Sequence, residues 1–163
     1  MARRDAPQQL TKEEIAEVLA MEKFMASDLE WRDSPTNSNY VAATDTLVDG
    51  TGASIPGVFY ELQVRRGRYV EDCRFEYGIF KIKGGRRHRL YQINIKPPSQ
   101  RSHRGQDGAW WYGPHQHFGN RAERFDPQPA FGCDHEAWFR EFLKRANISF
   151  GGKYQPPISE QLF

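Results

Sequence analysis

Two histidines stand two residues apart in the run Trp110-Trp111-Tyr112-Gly113-Pro114-His115-Gln116-His117-Phe118-Gly119-Asn120-Arg121-Ala122-Glu123-Arg124. In an extended chain, residues i and i+2 point the same way, roughly 6.6 Å apart at a rise of about 3.3 Å per residue. His115 and His117 therefore share a face. Paired imidazoles that titrate near neutrality suit metal-free RNA cleavage: one takes the proton of the attacking 2′-hydroxyl, the other returns one to the leaving 5′-oxygen. A phosphate fits between rings at that separation. A guanidinium must then stabilise the crowded oxyanion, and Arg121, Arg124, Arg101 and Arg104 are the candidates. Trp110, Trp111 and Tyr112 offer faces on which bases stack. His103, on the preceding polar segment, can stand in for either histidine.

The same spacing suits a metal ion, with His115 and His117 converging at about 2.1 Å and Glu123 or His103 as third ligand. The pattern H-x-H-x5-E is similar to a loosened first cupin motif, although the spacing to the glutamate is longer than in cupins and no later histidine completes the set. Against both stands a plain structural role: strand histidines that satisfy hydrogen bonds, and rings that belong to the core. His88, within Arg86-Arg87-His88-Arg89, reads as solvated, in a run whose arginines can hold phosphates. His135 reads as a first-turn helix residue. Thiol catalysis by Cys73 or Cys133 is not supported, and no phosphate loop, dinucleotide fingerprint or G-x-S-x-G is present.

The elements that would position these groups fit one domain spanning residues 1–163, with 1–9 and 155–163 as extended tails. Aromatic residues make up 13% of the chain, so the core is expected to be built from large rings. No apolar run reaches the roughly 20 residues of a membrane helix, and the N-terminus lacks a signal-peptide core. The expectation is therefore a cytoplasmic protein with no membrane partner and both cysteines reduced. The net charge of +2 hides an asymmetry: from Glu61 to Arg104 there are 12 Lys/Arg against 4 Asp/Glu. A basic middle of this kind fits a polyanion or a solubilising sheet face.

Thr11-Lys12-Glu13-Glu14 is a capping box, and apolar residues from Ile15 to Leu29 recur at helical spacing, which predicts a helix over about 11–30. A loop over 34–39 and a short strand over 40–48 follow. After turn residues 51–57, the alternation of Tyr60, Leu62 and Val64 predicts a half-buried strand, and Arg66-Gly67 a hairpin turn. A strand over about 69–83 changes parity between Tyr77 and Phe80, which predicts a bulge at Gly78. Gly84-Gly85 is a hairpin signal, and the strand over 86–96 turns Tyr91, Ile93 and Ile95 inward before Pro97-Pro98 ends it. Residues 99–108 read as a mobile loop. The histidine stretch reads as a strand over 110–118, with a further one at 121–125. Asp134 caps a helix over 135–147 that buries Trp138, Phe139, Phe142 and Leu143. The predicted fold is α+β: an antiparallel β-meander with an N-terminal helix and a C-terminal helix packed on it.

Pro114-His115-Gln116-His117, followed by the Gly119-Asn120 turn and Glu123, resembles the proline-led H-x-H near the end of the sheet in TumE-like toxins of bacterial toxin–antitoxin pairs. The likeness covers residues 57–125. It implies a growth-inhibiting toxin that acts on RNA, with His115 and His117 as the functional pair and an antitoxin protein as partner. Two other expectations stand beside it. One is a non-catalytic module of phage or defence origin that holds nucleic acid or protein through Arg86, Arg87 and Arg89. The other is a metal-dependent enzyme.

Overall fold

A computed structural model describes residues 9–67 and 72–157. In chain order the elements are α1 (Lys12–Ala20), β1 (Lys23–Met25), β2 (Arg32–Asp33), β3 (Tyr40–Val48), β4 (Ser54–Arg65), β5 (Phe75–Lys83) and β6 (Arg86–Ile95), then β7 (Arg101–Arg104), β8 (Trp110–Tyr112), β9 (His115–Phe118), β10 (Arg121–Glu123), α2 (His135–Ala146) and β11 (Ile148–Phe150). Nine strands form one sheet in the order β10-β9-β6-β5-β4-β3-β1-β11, with β2 on β3; β7 and β8 form a separate two-stranded ribbon. All pairings are antiparallel except β1 with β11. The fold is thus α+β, as the pattern of periods predicts. Residues 1–8 and 158–163, the greater part of the expected tails, lie outside the described residues. Of the C-terminal tail, Gln155 is tied down by the Trp31 indole, which donates to its carbonyl at 2.9 Å.

The capping box forms: the Glu14 amide donates to the Thr11 hydroxyl at 3.1 Å, and the Thr11 amide to the Glu14 carboxylate at 3.0 Å. The helix ends at Ala20, not near residue 30. Lys23 explains the stop. Its side chain is fully buried, and its ammonium donates to the carbonyls of Val18 and Met21, both at 2.6 Å, and Leu19 at 3.4 Å. These are acceptors that a helix end leaves unpaired. The backbone at Lys23 is already extended, where β1 pairs with β11. Leu29, helical by spacing, is buried from an irregular segment instead.

Alternation then sorts the sheet. Tyr60, Leu62, Val64, Phe75, Tyr77, Ile79, Tyr91, Ile93 and Ile95 are buried in one cluster with Trp138, Phe139 and Phe142 of α2 and Val18 of α1. Tyr77 meets Phe139 edge-on, and Tyr91 stacks on Phe142 with an interplanar angle of 7°. Truncating any of these α2 rings to alanine would cost about 3–5 kcal/mol. Both helices cover this face. The opposite face carries Phe59, Phe80, Glu61, Gln63, Gln92, Asn94, His115 and His117.

Several local expectations are corrected. The bulge is on β6, not at Gly78: Ile79 pairs with Tyr91 and Phe80 with Arg89, so Leu90 is the extra residue. Phe80 then needs no change of face in β5. It packs against Phe59 on the far side, with the Arg87 guanidinium 3.8 Å above its ring. The link after β4 is longer than the Arg66-Gly67 hairpin, since β5 starts at Phe75; residues 68–71 are outside the described set. Gly84 and Gly85 do form the tight turn, at φ of 61° and 71°, between paired Lys83 and Arg86.

The cysteines are not reduced. Cys73 and Cys133, 60 residues apart in sequence, are joined in a disulfide with 6.0 Å between their Cα atoms. The sheet brings them together: Cys73 precedes β5, Cys133 precedes α2, and the rings of Phe75 and His135 pack at a tilt with centroids 4.8 Å apart. Sequence distance hid the pairing. A persistent disulfide is uncommon in a reducing cytosol, so it does not favour the cytoplasmic expectation. No helix among the described residues is long and apolar enough to cross a membrane. Closing a loop of this size removes about 4 kcal/mol of unfolded-state entropy. The Cys73→Ser/Cys133→Ser protein should therefore unfold at lower urea than the oxidised protein. Equal midpoints, or thiol labelling of the unreduced wild type in denaturant, would contradict the bridge.

Candidate functional site

The stretch expected as one strand over 110–118 is two. Gly113 takes φ of 71° and Pro114 follows, so β8 leaves the ribbon and β9 enters the main sheet beside β6. Only a residue free of Cβ strain makes that change of direction cheaply. The segment 99–108, expected as a mobile loop, instead builds β7, which pairs with β8 through Arg101–Tyr112, His103–Trp111 and Arg104–Trp110. The ribbon folds over the face of β9 that carries the histidines.

On β9 the alternation holds. Gln116 turns to the helical face, where it accepts from the Tyr91 hydroxyl at 2.8 Å. His115 and His117 turn to the other, opposite Asn94 and Gln92 of β6. Their rings are closer than strand spacing alone implies: centroids stand 4.8 Å apart and the two Nε2 atoms 3.0 Å apart. That gap holds a shared proton or a single ion, and it has no room for a phosphate between the rings. His103, from β7, completes a triangle, with its ring 5.6 Å from His115 and 5.7 Å from His117. Trp111 packs 5.3 Å from His103 and 6.4 Å from His115.

The paired rings are buried, at 2% and 6% exposure. Burial is the main reason their acidities shift. His115 is pushed down to about 4, helped by His103, Lys96 and Arg89, and the Gly113 backbone offsets part of this without a formed hydrogen bond. His117 is pushed down to about 3, by burial and then by Arg89, His115 and His103. Both are neutral at pH 7. Five buried side-chain polar atoms among the described residues lack a hydrogen-bond partner, and all lie in this cluster or next to it: Nδ1 of His103, His115 and His117, Oδ1 of Asn94 and Oγ of Ser102. Such atoms are costly, about 1–3 kcal/mol each, and rarely gather without a reason.

His103 connects the cluster to solvent. With Trp111, Arg104, Arg121, Glu123 and Arg124 it lines a cleft of about 770 Å³. Arg124 lies over Trp111 at 5.1 Å, while Arg101 and Arg104 lie over Trp110 at 5.2 and 5.8 Å. Trp110 and Tyr112 are exposed at 43% and 51%, so rings do remain available on the ribbon. Glu123 is not placed as a third ligand. It pairs in register with Gln116, on the face away from His117, and forms an ion pair with Arg121 at 2.9 Å.

The basic run is less free than its charge suggests. Arg87 forms a two-pronged pair with Glu61, at 2.8 and 3.0 Å, and Arg89 donates to the Gly119 carbonyl and to Gln92, both at 2.9 Å. Arg86, Arg87, His88 and Arg89 all line a second cleft, of about 630 Å³, between α1 and the β9–β10 turn. Two of these three arginines, Arg87 and Arg89, are therefore already engaged by groups of the protein itself. Sequence reasoning named every histidine of the cluster, and Arg89 only as part of a phosphate-holding run, but missed Asn94, Ser102 and Gln92 around it. The parity of Gln92 and Asn94 on β6 signals a shared face only once β6 is known to pair with β9, and Ser102 comes in with the ribbon.

No protein-family model matches the chain, and no curated protein and no solved structure matches it significantly.

The acidities fix a pH dependence. In the unfolded chain both imidazoles titrate near 6.5. As pH falls below that value the unfolded state gains protons that the folded state refuses until about 4 and about 3. Stability is unaffected above about pH 7, declines with acidification, and levels off below the folded values. The slope reaches at most about 2.7 kcal/mol per pH unit for two protons. The His115→Asn/His117→Asn protein should show a shallower loss between pH 6 and 4 in urea titrations. Superimposable profiles for the two proteins would contradict the burial of neutral rings.

Proposed function

We propose that the protein is an RNA-directed endoribonuclease of the toxin type, working at the mouth of the histidine cluster. The observation that carries the reading is that His103, Trp111, Arg104, Arg121 and Arg124 line one cleft of about 770 Å³, with the buried pair His115 and His117 packed directly behind His103. A phosphodiester in that cleft meets guanidinium groups suited to oxyanions and a ring suited to a base. Because no phosphate fits between His115 and His117, the scissile group sits over His103. There the cluster takes the 2′-hydroxyl proton as oxygen attacks phosphorus; the P–O5′ bond breaks and the leaving oxygen gains a proton from the cluster or from water. Arg124, which lies over Trp111 at 5.1 Å, holds the non-bridging oxygens. An antitoxin partner belongs to the same reading and would act by covering this cleft.

A second reading, a module that holds RNA without cutting it, draws on the burial and neutrality of His115 and His117. One assay separates the two. Labelled RNA incubated with the purified protein should yield fragments ending in cyclic phosphate. His103→Ala should slow cleavage by about 10²–10⁴, and Arg124→Ala by about 10²–10³. RNA retained by the wild type but left whole would favour the binding module. RNA neither bound nor cut would end both readings.

A further inference from the structure

We infer that His103, His115 and His117 form a site for one divalent first-row transition ion of the zinc or cobalt class, held by three imidazoles and open to the cleft. The inference deepens the reading above and rests on it for what the ion would act upon, but its geometry stands alone. Two nitrogens about 2.1 Å from one ion and 3.0 Å apart subtend about 90° at it; widening to a tetrahedral angle needs only about 0.4 Å more. Three imidazoles on one ion hold their ring centroids roughly 5–5.5 Å apart. The three separations here are 4.8, 5.6 and 5.7 Å.

A direct N–H···N bond would also explain the 3.0 Å contact. It would not explain why a third imidazole, His103, stands over the pair with its own Nδ1 buried and unpartnered. The third donor atom does not yet converge: among the described residues, no three His, Cys, Asp or Glu side chains surround a common point. For His103 to supply it, its ring would have to turn on the narrow ribbon that carries it. Donor chemistry sets the class of ion. An all-imidazole set selects zinc, cobalt or nickel over magnesium or calcium, which want oxygen.

Electrostatics sets what completes the shell. The cleft onto which the site opens is lined by Arg104, Arg121 and Arg124. A bare dication is costly there, so the open position suits an anion: hydroxide, or a phosphate oxygen from the cleft. The proton-exchanging group that the cluster presents would then be metal-bound water, whose acidity such an ion raises to near neutrality.

The test uses untagged full-length protein stripped with chelator. Cobalt(II) should bind with one equivalent and develop visible absorption bands, and zinc should displace it. His103→Ala should weaken binding by more than about 100-fold, beyond the 10–100-fold that loss of an outer-shell partner costs. His88→Ala, whose ring instead meets the Lys83 carbonyl at 3.1 Å, should bind as wild type does. X-ray absorption on zinc-loaded wild type should count three imidazoles and needs no variant to fold. No saturable binding, fewer than three imidazoles, or unchanged affinity in His103→Ala would overturn the site. Stripped protein that still cuts RNA at the full rate would overturn the metal's role while sparing the ribonuclease reading. A three-imidazole ion on a protein inert to RNA would do the reverse.

Discussion

The contact between the imidazoles of His115 and His117 is the constraint from which the rest of the site follows. Two polar rings can be driven to 2% and 6% exposure only if something covers them and something compensates them. The cover is the β7–β8 ribbon, which exists because Gly113 lets the chain leave one sheet and enter another. The compensation is incomplete, since each ring keeps an unpartnered Nδ1. A fold that spends stability in this way at a single place, while satisfying the buried Lys23 and Gln116 elsewhere with short hydrogen bonds, is not careless about polar groups in general. The exception marks where chemistry is to be sought.

The scaffold has two unlike faces. The helical face is apolar and ring-rich, and it holds the sheet flat against α2. The far face is polar wherever β6 meets β9. Cys73–Cys133 ties the beginning of β5 to the loop before α2, and so pins the helix over the strands next to the site. Arg89 links the layers of the site: it bonds the Gly119 carbonyl at the β9–β10 turn and Gln92 on β6, and its charge bears on both buried imidazoles. A mutation at Arg89 would thus be felt in the acidity of the histidines as well as in binding.

Much of the fold was legible in the residues because local rules were obeyed. Thr11 and Glu14 announce α1, Gly84-Gly85 announces the β5–β6 turn, and the Asp134 cap with Trp138, Phe139, Phe142 and Leu143 announces α2. What was not legible depended on distant partners. Helical spacing ran on past Ala20, but the burial of Lys23 under the helix end and the pairing of β1 with β11 overrode it. Parity around Gly78 looked like a slip because Phe80 was assumed to seek the core; Phe59 and Arg87 give it company on the other face. Residues 99–108 read as loop because their arginines and glycines carry no apolar period, and only the pairing of β7 with β8 makes a strand of Arg101–Arg104. The site followed the same division. His103, His115 and His117 were named from residue type and spacing, but their closeness, their burial and the exclusion of Glu123 are facts of register.

The claim at the centre is that these three imidazoles act as one unit that reaches a phosphodiester through the cleft. Of the five histidines in the chain, His88 and His135 stand apart from it. The most direct measurement is the set of imidazole nitrogen NMR signals while a non-cleavable 2′-deoxy dinucleotide is added. The account predicts that His103, His115 and His117 shift together with one saturation curve while His88 and His135 stay still. Movement of His88 alone, or no movement in any of the three, would contradict it.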